Sequence, residues 1–132
     1  MDPIVLGELT ATFDSAAPSQ LHVRLVGKSA SRDAGKVLAP VFDAALALAS
    51  VENRVIVLHF ERLEYFNSST IAALVQFIRA AQERRLGLTV VYDAAQKWQS
   101  MSFDALRRAM KPFQTPGGPP GVIFSIAADA VD

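Results

Sequence analysis

The chain has 132 residues, 51% of them hydrophobic and 20% charged, a size and balance that suit one ordered domain with a single core. Thirteen basic and thirteen acidic side chains cancel, so there is no broad positive field to hold a nucleic-acid backbone or an anionic membrane surface. Cysteine is absent, which excludes disulfides, thiolate catalysis and cysteine-ligated metal centres, and fits a reducing cytoplasm.

Asp2 and Pro3 open the chain without a basic region, and no run of about 18 apolar residues follows, so neither a signal peptide nor membrane insertion is expected. From Ile4 to Phe13 apolar and polar residues partly alternate, and Leu21 to Gly27 alternates more strictly. With Ala17-Pro18-Ser19-Gln20 between them, these segments predict an antiparallel hairpin. Val37, Leu38, Val41, Phe42, Ala45, Leu46 and Ala49 then recur at helical spacing, and the helix either begins close to Pro40 or bends there.

Arg54-Val55-Ile56-Val57-Leu58-His59-Phe60 is a short β-branched run, as for a strand covered on both faces at the centre of a sheet. After Asn67-Ser68-Ser69-Thr70, the residues Ile71, Leu74, Val75 and Ile78 share one helical face, opposite Gln76, Arg79, Gln82 and Glu83. This predicts an amphipathic helix from Ile71 to Arg85 stopped by Gly87. Leu88 to Tyr92 repeats the buried-strand pattern, so strand, helix and strand form a crossover with parallel strands.

Ser100 to Lys111 reads as a third helix with Phe103, Leu106 and Met110 on one face, closed by Pro112. Residues 114–121 form a Pro/Gly-rich loop, and Val122 to Ile126 can supply a last edge strand. The order β-β-α-β-α-β-α, with or without a final β, predicts an α/β fold over residues 1–132: a mixed sheet with helices packed on it, in a single domain.

Little in the chain suits catalysis. His22 lies on the outward phase of its strand and His59 ends a buried one, neither with a partner at metal-ligand spacing, so neither is assigned a catalytic role. A P-loop lysine and a G-x-G-x-x-G turn are both missing, and Gly117, Gly118 and Gly121 are interleaved with prolines that lack the N–H donors a phosphate cradle needs. No catalytic residue, metal or cofactor is therefore expected.

The informative segment is Asn67-Ser68-Ser69-Thr70. Asn, Ser and Thr are preferred helix caps, because their oxygens accept otherwise unpaired backbone N–H groups. One cap oxygen suffices, so the remaining hydroxyls leave at least one to face solvent. The turn also follows the carboxyl end of a parallel strand, where open α/β sheets present functional loops. A phosphate there gains from the helix N-terminus and adds about two negative charges.

From about Leu21 to Met110, roughly two thirds of the chain, the pattern resembles STAS domains, the fold of bacterial anti-sigma-factor antagonists. Val55 to Ile71 carries the likeness, being similar to that family's strand, short link and Asp-Ser-Ser-Gly-Leu turn, with Asn67 in place of the aspartate and Thr70-Ile71-Ala72 in place of Gly-Leu-Gly. Tyr65-Phe66-Asn67-Ser68-Ser69 is also similar to the Asn-Thr-Ser-Ser turn of SiaC-like regulatory phosphoproteins. Both resemblances imply a phosphorylation site at Ser68, ahead of Ser69 and Thr70, with Tyr65, Asn67, Ser69 and Thr70 as partner-binding residues. The second resemblance also implies a serine/threonine kinase of the anti-sigma type, a PP2C-type phosphatase and a diguanylate cyclase or other effector as partners.

Trp98 reads as a packing residue. Two other readings compete with the switch: an unswitched STAS structural subunit of a transporter or signalling scaffold, in which the turn is only a cap, and a small hydrolase-type α/β domain with Ser68 or Ser69 as nucleophile, for which no histidine base or G-x-S-x-G elbow is visible.

Overall fold

The computed structural model describes residues 2–110 and 122–126, the last strand by its backbone and the side chain of Ile123. The alternation from Ile4 to Phe13 does not make one strand. Gly7 takes φ +64 and turns the chain so that Leu6 pairs with Leu9, giving β1 (Ile4–Leu6) and β2 (Leu9–Asp14) as an edge hairpin. β2 then pairs antiparallel with β3 (Gln20–Ser29), as the sequence predicts.

β3 has ten residues, and its second edge serves two strands in series. Gln20–Arg24 pairs parallel with β4 (Val55–His59), and Gly27–Ser29 pairs parallel with β5 (Leu63–Phe66). β5 is not legible in the sequence, because its four residues bury only the two ends, Leu63 and Phe66, and show no period of two. At Gly27 φ is +106 and an added Cβ would lie 1.9 Å from the Glu8 carbonyl oxygen, so only glycine lets the β1–β2 turn close down on β3.

β6 (Leu88–Tyr92) lies parallel beside β4, and β7 (Val122–Ile126) is parallel on β6, giving the order β1-β2-β3-β4-β6-β7. The sheet is therefore mixed, with β4 inside it. Arg54 aligns the starts of β3 and β4: its Nη1 donates to the carbonyls of Ser15, Ala17 and Gln20 at 2.7, 3.0 and 3.3 Å, while Glu52 pairs with its other nitrogens.

Three helices complete the described residues: α1 (Ala34–Glu52), α2 (Ser68–Glu83) and α3 (Lys97–Met110). α1 starts six residues before Pro40 and runs through it, with both Pro40 and Lys36, whose carbonyl loses its partner, on the solvent side. By length and composition α1 could cross a membrane, yet its apolar face, including Leu38, Val41, Phe42 and Ala45, is buried in the fold, where α1 meets the sheet and α2. α2 ends at Glu83 rather than Arg85, and the left-handed residue is Arg85 (φ +56), not Gly87. α3 begins three residues earlier than its apolar spacing indicated, at Lys97. Lys111, Pro112 and the 114–121 loop lie outside the described residues.

Register explains the core. Leu21, Ile56 and Leu88 form one cross-strand row and Val23, Leu58 and Val90 the next, all on the face that meets α1, α2 and α3. Phe42 of α1 stacks on Phe77 of α2 at 4.4 Å, and Tyr92 stacks on Phe103 of α3 at 5.2 Å. His22, Val57, His59 and Val91 fall on the opposite face and are also buried. β4 is thus covered on both faces, as its apolar run indicated.

The buried stripe of α2 is turned slightly from the expected phase. Leu74 and Ile78 are buried together with Ala73, Phe77 and Ala81, while Ile71 and Val75 are half-buried and Gln82 is half-buried rather than exposed. Leu74→Ala should therefore cost about 2–5 kcal/mol in chemical denaturation, and Gln76→Ala, on the exposed side, less than about 0.5 kcal/mol. Comparable losses from the two would place the helix in the wrong rotation.

Candidate functional site

β5 delivers the turn. The Asn67 backbone N–H continues the β3–β5 ladder by donating to the Ser29 carbonyl at 3.2 Å, and its extended backbone sets it as the N-cap of α2. Its Oδ1 accepts the Thr70 N–H at 3.0 Å, and its Nδ2 donates to the Ser31 carbonyl at 2.9 Å. The cap residue is thus Asn67, which leaves all three hydroxyls that follow free of that duty.

Thr70 is 2% exposed, and its hydroxyl stays inside the fold. Its Oγ1 lies 2.9 Å from Asn67 Oδ1 and 3.3 Å from the Ser29 carbonyl, both acceptors only, so its single proton must serve them. The 2.7 Å contact between Ser29 Oγ and Thr70 Oγ1 then takes its proton from Ser29. Ser69 is half-buried: its Oγ donates to the Arg32 carbonyl and accepts the Ala34 N–H, both at 3.0 Å. That second bond caps α1 from another helix, since the N-cap of α1, Asp33, makes no side-chain cap bond of its own.

Ser68 differs from its neighbours. It is exposed at the first position of α2, and its hydroxyl makes no hydrogen bond among the described residues. Tyr65, on β5, is also exposed, at 48%. Thr70, which the sequence offers as a partner contact and a secondary phosphosite, is off the surface, its hydroxyl held by Ser29 and Asn67. The residues that sequence reasoning missed are Ser29, Ser31 and Arg32, which reach the turn only because β5 pairs with β3.

Two further groups hold the approach to the turn. Gln99 is fully buried at 0% exposure, its Nε2 donating to the carbonyls of Phe60 and Leu63 at 2.9 and 3.1 Å and its Oε1 accepting the Asp93 N–H at 2.7 Å. Trp98 packs edge-on against Phe66 with ring centres 5.2 Å apart, and its Nε1 donates to Gln96 at 3.1 Å, so it is the packing residue its size indicated.

The histidines correct the reading of His22 as outward. His22 is buried on the sheet face away from the helices, its Nδ1 2.8 Å from His59 Nε2. His59 Nδ1 lies 2.9 Å from Glu61 Oε1, and His22 Nε2 lies 3.1 Å from Gln20 Oε1. Gln20, His22, His59 and Glu61 thus form one polar chain across β3 and β4. None of these bonds reaches Ser68 or Ser69.

The sequence matches no family model and no curated protein. Its structure is similar to that of the anti-sigma factor antagonist SpoIIAA in its unphosphorylated form, with a TM-score of 0.51 at 16% identity over 92% of this chain and 89% of that one. An anti-sigma factor antagonist from Mycobacterium paratuberculosis gives a TM-score of 0.54 at 15% identity, covering 76% of this chain and 81% of the other. The Bacillus cell fate determinant SpoIIAA in its phosphorylated form gives 0.52 at 15% identity, covering 74% and 86%. The chain has the SpoIIAA-like STAS fold that these structures share.

Asn67→Ala should cost about 1–2 kcal/mol, since it removes the α2 cap, whereas Ser68→Ala should change stability by less than about 0.5 kcal/mol. Gln99→Leu should cost about 1–3 kcal/mol, because it strands the part-buried Asp93 N–H and leaves two carbonyls with one partner fewer. Urea denaturation of the three variants checks both expectations. A Ser68→Ala loss as large as that of Asn67→Ala would make Ser68 part of the cap.

Proposed function

We propose that the chain is a phosphorylation-controlled protein-binding regulator of the STAS partner-switching type, which binds a signalling partner while Ser68 is unphosphorylated and releases it once Ser68 carries phosphate. The observation that carries this reading is the division of labour among adjacent hydroxyls. Thr70 and Ser69 are engaged inside the fold, while Ser68 alone of the three is exposed without a hydrogen bond among the described residues. A phosphate on Ser68 would add about two negative charges where the first turn of α2 carries no acidic residue. The helix N-terminus tolerates that charge, so the fold would survive while the contact surface changes sign.

Tyr65, Asn67 and Ser69 would line the contact with the partner. A serine/threonine kinase of the anti-sigma type would add the phosphate and a PP2C-type phosphatase would remove it. Effectors worth screening as outputs include a diguanylate cyclase. The solved structures of SpoIIAA with and without phosphate support a switch on this fold.

Ser68→Ala should fold, bind the partner and refuse phosphate, whereas Ser68→Asp should fold at least as well and bind more weakly through repulsion and desolvation at the contact. The check is partner affinity for wild type, both variants and kinase-treated protein, with phosphosite mapping by mass spectrometry. Equal affinities across the four, with stable co-purification regardless of phosphate, would favour an unswitched structural subunit.

A further inference from the structure

The β1–β2 turn, the end of β3 and the first turns of α1 line an open pocket of about 570 Å³, within the size range of small-molecule sites. We propose that this pocket binds a small carboxylate with an unbranched apolar tail, at a site that shares Ser29 and Ser31 with the turn but does not include Ser68. Leu6, Leu9 and Val37 supply an apolar floor, and Lys28 and Lys36 stand exposed at the rim. Glu8 is the single carboxylate in the lining, and Lys36 lies 3.9 Å from Asp33 Oδ2 in an exposed pair that a ligand carboxylate can replace.

Hydrogen-bond accounting sets the orientation. Ser29 is the buried polar group of the wall, and its only proton goes to Thr70, so it has no hydroxyl proton left for an anion, whereas the exposed lysines have theirs. The carboxylate belongs at the lysines and the tail inside. The walls are built before any ligand arrives: Gly27 brings β3 against Glu8 more closely than any side chain would permit, the Lys28 N–H donates to the Glu8 carbonyl at 3.2 Å, and α1 is pinned by Ser69 through the Ala34 N–H. A preformed apolar floor needs little reorganisation on binding.

The test titrates octanoate, octanol, inorganic phosphate and phosphatidylserine vesicles into the full chain, followed by amide chemical shifts and calorimetry. Octanoate should saturate with shifts at Leu6, Leu9, Lys28 and Val37, more tightly than octanol and far more tightly than phosphate. Lys28→Gln with Lys36→Gln should weaken octanoate about tenfold while leaving octanol unchanged, the loss of a charge-assisted contact at each lysine. Val37→Trp, which fills the pocket, should abolish both while thermal unfolding stays cooperative. Should Val37→Trp fail to fold, the lysine pair on the surface decides alone. Failure of octanoate to saturate, equal binding of phosphate, indifference to the lysine changes, or binding to vesicles without binding of the monomeric acid would each overturn the proposal.

Discussion

The buried hydroxyl of Thr70 is the constraint on which the turn depends. A helix that starts inside a fold must find partners for its first N–H groups, and Asn67 can supply one only if its amide is held in a single orientation. Thr70 holds it, by donating to the same Oδ1 that caps its own N–H, while the Ser31 carbonyl takes the amide nitrogen. Ser29 then closes the cluster from β3. The Ser29–Thr70 bond is buried and the Asn67 bonds are part-buried, so losing one member would leave the others with unmet polar groups at a cost of about 1–3 kcal/mol each.

From that constraint follows the coupling between helices. α1 lacks a side-chain cap of its own, and Ser69 of α2 provides it. The starts of α1 and α2 are therefore one unit, and the β3–α1 segment from Ser29 to Arg32 belongs to the surface around Ser68 as much as β5 does. Any partner that reads Ser68 would meet a hydrogen-bonded helix start rather than a loop.

The sheet divides its two faces unequally. One carries aliphatic rows that meet all three helices, and the other carries the Gln20–His22–His59–Glu61 chain between buried valines. Buried polar groups are tolerated there because each ring nitrogen faces a partner. Gln99 plays the matching part on the helix side, its amide donating to the Phe60 and Leu63 carbonyls where β3's edge passes from β4 to β5.

Much of this was legible in the residues alone. Apolar runs at Val55 to Phe60 and Leu88 to Tyr92, joined by one helical span, forced parallel neighbours, and the hydroxyl-rich Asn67 to Thr70 run forced a helix start, because local periodicity and capping depend on residues close in sequence. The roles of the individual hydroxyls were not legible. Which of Ser68, Ser69 and Thr70 faces water depends on Ser29, Ser31, Arg32 and Ala34, more than thirty residues away in the chain, brought there by a four-residue strand too short to show a period. The pairing of His22 with His59 was hidden for the same reason: a one-strand register decides it, and register is set by the packing of both sheet faces rather than by either histidine's neighbours.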